Sequence, residues 1–444
     1  MTEPSAPYFH LLDTPLPSPS LLNLLSNHLP YSLPVLRRLQ YAANFSDNNN
    51  NNNNGLGTTP YSHVLFASRH SLEDLVQSFE SESESEAVAV AEADDQQAED
   101  EDEVDGKSGQ AAAADGKGKR KRKRRRQHFA AAFVDLSRFP ETQAWVYSTM
   151  EDHCFFDPGT GTTMDGSTTW GVFGSQSQSH SLPEEEAQEC DELMLALLRR
   201  MRTIALQMPL VLEKASEQRQ KNWTEARAYL CMDAAAGGPG PKVMIGSLAE
   251  IHRHRLFLDQ GRVHMHKTAN IPEEIEWEVC QKWLFRTEAL VSSSPSSEKE
   301  REGELETTME KEGLVWDRVR TKEDVRLVQS RTSIKRQEDT LLGLPSVAVR
   351  DGEGRMVAWG FMAFDGTLMT LHVEEQYRGK GLAKAVACKV MRDHVKDYGD
   401  DGWGAADVFL ENYRSQGVCR SIGGRVGWLL SWAVVDLATA GDAL

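Results

Sequence analysis

Residues 368–383 read Leu-Met-Thr-Leu-His-Val-Glu-Glu-Gln-Tyr-Arg-Gly-Lys-Gly-Leu-Ala. Their types and spacing suit them to hold a phosphorylated ligand. Gln376, Gly379, Gly381 and Ala383 punctuate a short basic loop. The backbone N–H groups of such a loop, with the N-terminal end of a following helix, can wrap a pyrophosphate. Gly379 and Gly381 let the backbone come close to phosphate oxygens. Arg378 and Lys380 supply charged donors for the same phosphates. Leu382 and Ala383 open the helix, and the small Ala383 keeps its first turn thin. His372 and Glu374 stand just ahead of the loop. An imidazole titrates near neutrality, so His372 can take a proton, and Glu374 offers a carboxylate for the same task.

This loop needs a strand before it and a helix after it. Alternation over Thr367–Val373 predicts the strand, and Ala383, Val386, Ala387 and Val390 share one face of a helix over Leu382–Lys396. Upstream, Leu314–Val319 reads as a strand and Lys322–Thr332 as a helix. Ser346–Arg350 and Met356–Phe364 read as strands joined by the turn Asp351-Gly352-Glu353-Gly354. Downstream come a strand over Ala406–Leu410, a short helix over Ser415–Ile422 and a closing strand over Trp428–Leu437. The element order is βαβββαβαβ.

The rest of the chain is less regular. Ser20 is expected to cap a helix over 20–29, Val35–Phe45 to form a strand, and Pro60–Ala67 a second one, with an asparagine tract at 48–54 as a hairpin insertion. Phe129–Asp135 and Ala144–Thr149 read as strands, and residues 157–186 as loop. A helix over Glu185–Met208 carries an apolar stripe of Leu193, Leu195, Leu197, Leu198, Met201 and Ile204. A Gly/Pro loop spans Gly237–Pro241, and Ile275–Leu290 reads as a helix with Glu276, Glu278, Lys282 and Arg286 among its polar positions. The expected organisation is an N-terminal α/β accessory domain over 1–291, with disordered inserts at 46–59 and 78–127. A linker over 292–313 and a catalytic domain over 314–444 follow.

The net charge of −18 is not spread evenly. Residues 80–105 hold 13 Asp/Glu, and residues 117–126 hold nine Lys/Arg. The basic run is a nuclear localisation element, a polyanion-binding arm or a solvated loop lying near the acidic tract. Six cysteines without a CxxC pair fit free thiols in a reducing compartment. Met1–Pro19 carries five prolines and no secretory pattern, and no apolar run is long enough for a membrane span. The expected location is the cytoplasm, or the nucleus through the basic run. Two His-x-His pairs, at His252/His254 and His264/His266, lie beside Arg253 and Arg255, which disfavour a cation; no metal is expected.

The loop Gln-x-x-Gly-x-Gly followed by Ala resembles the acyl-CoA-binding loop of the GNAT N-acyltransferase superfamily, and the element order around it is similar to the GNAT fold. Asn412, Ser415, Val418, Cys419, Ile422 and Gly423 are spaced like the superfamily's downstream motif. The resemblance implies a mixed central sheet flanked by helices, with acetyl-CoA or another acyl-CoA as co-substrate. It implies that Asn412 and Ser415 line the pantetheine channel, and that backbone N–H groups over Leu371–Val373 polarise the thioester carbonyl. Cys419 stands where many members carry a Tyr that protonates the leaving thiolate, and Gly424 stands where a Phe is usual. Glu411 is a third candidate base, after His372 and Glu374.

Leu29-Pro30-Tyr31-Ser32 and Phe133–Glu141 are similar to the N-terminal region of glycine N-acyltransferase-like proteins. The N-terminal half is thereby expected to be a diverged GNAT-like domain without its own CoA loop. The implied activity is acyl transfer to the amine of a small molecule or amino acid, with no membrane or nucleic-acid partner. The alternatives are a protein or histone N-acetyltransferase and a non-catalytic acyl-CoA-binding protein.

Overall fold

The structure is a computed structural model. It describes residues 9–45, 57–81, 127–153, 182–213, 215–229, 240–268, 279–290, 309–334 and 336–441. The asparagine tract, the acidic and basic runs apart from residues 80 and 81, and most of the 157–186 loop and the 292–313 linker lie outside the described residues.

One sheet of thirteen strands runs through the molecule. In chain order the strands are β1 (His10–Thr14), β2 (Ser62–Ser68), β3 (Phe129–Asp135), β4 (Ala144–Ser148), β5 (Lys242–Ala249), β6 (Met265–Lys267) and β7 (Val279–Arg286). They continue as β8 (Val315–Asp317), β9 (Ser346–Arg350), β10 (Met356–Met362), β11 (Thr367–Val373), β12 (Trp403–Phe409) and β13 (Arg425–Asp436). The helices used below are α1 (Pro19–Ser26), α2 (Leu33–Asn44), α3 (72–81), α4 (Glu184–Gln207), α5 (Glu217–Tyr229), α6 (Lys322–Ser330), α7 (Glu338–Gly343), α8 (Leu382–His394) and α9 (Tyr413–Ser421).

The strand order is β1-β2-β3-β4-β5-β13-β7-β12-β11-β10-β9-β8, with β6 on β13. The two ends repeat one pattern. β1 to β4 are antiparallel neighbours, and β4 meets β5 in parallel through only Ala144↔Ile245 and Trp145↔Gly246. β8 to β11 are antiparallel neighbours, and β11 meets β12 in parallel through only Thr367↔Ala405 and Leu368↔Ala406. Each half then borrows a strand. β7 comes before the second half in sequence yet lines β12, and β13, the last strand of all, lines β5. The halves have exchanged their final strands.

The sheet is folded sharply at the exchanged pair. Ser247 Oγ on β5 lies 3.5 Å from Asp407 Oδ2 on β12. Three strand steps of ~4.8 Å would hold them roughly 14 Å apart in a flat sheet. Trp145 on β4 likewise donates to Asp365, just before β11, at 3.1 Å. The half-sheets therefore face each other, and α2 lies between them. Arg37 donates to Asp401 at 2.9 Å and to the Trp403 carbonyl at 2.7 Å, tying α2 to the second half. Arg38 is fully buried over the Phe133 ring at 3.6 Å. On the outer faces, α4 buries its apolar stripe on the first half, and α8 buries Leu382, Val386, Ala387, Val390 and Met391 on the second.

Several expectations are corrected. Val35–Phe45 is not a strand but most of α2, because a helix enclosed by two half-sheets buries residues all round and loses its polar stripe. The asparagine tract accordingly follows a helix rather than joining a hairpin. The helix expected over Ile275–Leu290 is not formed by its described residues: β7 occupies Val279–Arg286, and Lys282 is buried against Asp407 rather than solvated. The first helix starts at Pro19 and is capped by Ser18, not Ser20. The insert placed at 78–127 starts later, since α3 takes in 78–81. Within the insert placed at 46–59, Gly57 is packed, its carbonyl accepting from Arg38 at 2.9 Å. The short helix α7 was not anticipated.

Candidate active site

The site is built where β11 leaves β12. Their pairing ends at Leu368↔Ala406, opening a wedge between two strands of one sheet. In β11 the register against β10 shifts between Trp359 and Phe361, and Thr370 takes a φ of 53°. A non-glycine residue in this region is uncommon, and here it marks a bulge. The bulge takes Thr370 and Leu371 out of register with β10, between the paired residues Met369 and His372.

Beyond Val373 the chain makes a turn over Glu375–Tyr377 that carries Gln376 on its exposed side. Arg378 Nε donates to the Val373 carbonyl at 3.0 Å, fastening the loop to the strand end. Gly379 and Gly381 have φ values of 77° and 82°, and a Cβ on either would meet nothing within 4 Å. Glycine is needed here for conformation, not for space. Gly381 is the N-cap of α8 and supplies no side chain, so the first N–H groups of α8 remain for an external acceptor. That end of the helix carries partial positive charge. Lys380 Nζ is 2.7 Å from Glu312, a partly exposed pair. The loop can hold a pyrophosphate, with Leu382 buried beneath as its anchor.

The structure separates the candidate bases. His372 stacks on Trp359 with ring centroids 4.7 Å apart, and burial holds its imidazole below the ordinary value, so it is neutral at neutral pH. Its Nε2 is buried without a hydrogen-bond partner and lies 3.9 Å from Glu374 Oε1. Glu374 is engaged by Arg331 Nε at 2.9 Å. Glu411 is exposed. Asn412 Oδ1 accepts from Ser415 N at 3.1 Å and caps α9, a local role that positions the start of that helix.

Cys419 is buried on α9, and burial pushes its thiol up to about 12. Such a thiol is a poor proton donor to a departing thiolate. Cys419→Ala is expected to slow thiol release less than about tenfold, against the ~10²–10⁴-fold carried by a general acid. A loss of the larger size in a folded variant restores Cys419 as the acid. Gly424 also has a structural reason. A Cβ there would lie 2.4 Å from the Phe285 ring and 2.8 Å from the Cys419 carbonyl. The exchanged strand β7 supplies the aromatic side chain that occupies this space.

Sequence patterns did not point to the Thr370 bulge, to Arg331, or to the buried pair Lys282–Asp407. The only signal for the last was a lone acid in an apolar strand, Ala-Ala-Asp-Val-Phe. Among the described residues no three His, Cys, Asp or Glu side chains group as metal ligands, and His252 instead lies 3.1 Å from Glu151. Among the same residues no helix is long and apolar enough to cross a membrane.

Comparison with known proteins matches residues 9–271 to the acyl-CoA N-acyltransferase verG N-terminal domain, and residues 347–433 to FR47-like protein. No curated protein matches the chain. Among solved structures, a Drosophila protein is similar over 93% of this chain and 94% of its own, at 12% identity and a TM-score of 0.44. A GCN5-related N-acetyltransferase from Kribbella flavida is similar over 49% and 74%, at 12% identity and a TM-score of 0.29. One from Sphaerobacter thermophilus is similar over 50% and 66%, at 13% identity and a TM-score of 0.24. The first family model spans more than half of the chain, and the second covers the wedge, the bulge and the glycine loop, so the chain belongs to the acyl-CoA N-acyltransferases of the verG family, within the GNAT superfamily.

Proposed function

We propose that this protein transfers an acyl group from acyl-CoA to the primary amine of a small molecule or amino acid. The observation that carries the reading is the convergence of a strand wedge, a β11 bulge and a glycine-rich helix N-terminus on one place. In this reading the pyrophosphate of acetyl-CoA or another acyl-CoA lies on Arg378–Ala383, near Gln376. The pantetheine arm enters the wedge toward Asn412 and Ser415. The thioester carbonyl meets the N–H groups of Leu371–Val373, which stabilise the developing oxyanion. The amine attacks directly, the C–N bond forms, the C–S bond breaks, and the thiolate leaves without a covalent enzyme intermediate. Proximity and a polarised carbonyl supply most of the acceleration.

The same reading makes residues 1–291 a diverged repeat that keeps the strand plan and carries no CoA loop. The resemblance of that half to glycine N-acyltransferase-like proteins supports a small acceptor. The test is thiol release from several acyl-CoAs against a panel of amines, amino acids and lysine peptides. Turnover with amines or amino acids is the expected result. Turnover with peptides alone would favour a protein acetyltransferase, and tight acyl-CoA binding without turnover would favour a non-catalytic binder.

A further inference from the structure

The face of the wedge away from α8 holds a buried polar group that no base candidate from the sequence includes. Ala406 and Val408 join the core containing Val386 and Val390 of α8, while Ala405 and Phe409 pack with Leu33, Trp428 and Leu430. Alternation along β12 therefore turns Asp407 to the side opposite α8. Asp407 is the first β12 residue past Leu368↔Ala406, where the two strands part. Its side chain is 4% exposed and that of Lys282 is 0% exposed, with Nζ 2.6 Å from Oδ1. The two groups form a buried ion pair. Thr367, paired with Ala405 on the same face as Asp407, has its Oγ1 buried without a hydrogen-bond partner. Native interiors rarely leave a buried polar side chain unpaired, and Thr367 lies on the strand next to Asp407.

Resting on the acyl-transfer reading above, we propose that Asp407 is the proton acceptor for the incoming amine and that Lys282 is its positioning residue. In this proposal the acceptor amine reaches Asp407 from the face opposite α8. As its nitrogen lone pair forms the C–N bond, the amine proton passes to Asp407. The C–S pair leaves with CoA as thiolate, which takes a proton from solvent. The strand exchange is integral to the device: β7 brings Lys282 to β12, and the fold of the sheet brings Ser247 of β5 within 3.5 Å of Asp407. A base serves best when its proton affinity is close to the working pH. Burial pushes the Asp407 carboxyl up to about 6, Asp365 pushes the same way, and Lys282 and Ser247 oppose it. The Cys419 thiol also senses Asp407 and stays protonated.

The experiment is a pH profile of kcat/KM for thiol release, with CoA affinity measured separately by calorimetry. The wild-type protein should lose activity below an apparent pKa of about 6. Asp407→Asn should keep CoA affinity, lose ~10²–10⁴-fold in kcat/KM, and lose that acid limb. Lys282→Met removes the charge that favours the carboxylate, so its limb should move to higher pH. A purely structural role would lower thermal stability and leave the limb in place. Full activity with an unchanged profile in folded Asp407→Asn would overturn the assignment and leave acyl transfer standing. If neither variant folds, the wild-type profile decides, and the absence of a limb between about pH 5 and 7 overturns the assignment. Wild-type protein that releases no thiol with any acceptor would overturn both.

Discussion

Gly379→Glu is expected to weaken acyl-CoA binding by at least ~100-fold, equivalent to about 2.7 kcal/mol, while the protein stays folded. Two effects act together. Gly379 has a φ of 77°, and forcing a side chain into that conformation costs roughly 1–2 kcal/mol or shifts the loop out of its cradle shape. The new carboxylate also stands at the positive end of α8, in the place where phosphate oxygens are to bind, and repels them. No clash adds to this, since a Cβ at 379 meets nothing within 4 Å. The global fold should therefore survive, and circular dichroism should match the wild type. Calorimetry with CoA and acyl-CoA gives the answer, and unchanged affinity in the folded variant would remove the loop from the binding site.

The second large effect concerns the exchanged strands. A fragment of residues 309–444 contains β8 to β13 but lacks β7. It is expected to aggregate or to remain without a cooperative melt, whereas co-expression with residues 1–291 should yield a soluble one-to-one complex. The reason lies in the sheet order β5-β13-β7-β12. Without β5, β6 and β7, β12 has a bare edge and β13 loses all three strands it pairs with, and such edges template aggregation. The loss is also a loss of core. Trp283 and Phe285 of β7 are buried in the cluster that contains α8, and Trp428, Leu430 and Val435 of β13 are buried at the seam or in the first half. Size-exclusion chromatography and thermal melts distinguish the outcomes. A monomeric 309–444 fragment that melts cooperatively would show that the exchange is not needed for the second half to fold.

These two expectations have different origins in the chain. The loop was legible because its requirements are local. Glycines at 379 and 381, cations between and before them, an alternating strand and an apolar helix face all lie within one short stretch. The strands Phe129–Asp135, Ser346–Arg350 and Thr367–Val373 formed where alternation or apolar runs placed them. The misreadings of α2 and β7 share one cause. Both elements lie at the junction of the two halves, where burial on every side removes the contrast between a wet and a dry face. Arg37, Arg38 and Lys282 are of types usually found in solvent, yet all three are buried. Their partners lie far along the chain: Asp401 for Arg37 and Asp407 for Lys282.

What the sequence determined by itself was the local cradle, the order of strands in the last 131 residues, and hence the acyltransferase family. Those are short-range properties of residue type and spacing. Only the tertiary structure decided which strand completes each half, that the half-sheets close on one another, and that Asp407 is buried against Lys282. These depend on pairings between residues more than a hundred positions apart, such as Asp407 with Lys282 and with Ser247. Such pairings are fixed by which polar groups must be satisfied once the core closes, and no local pattern records them.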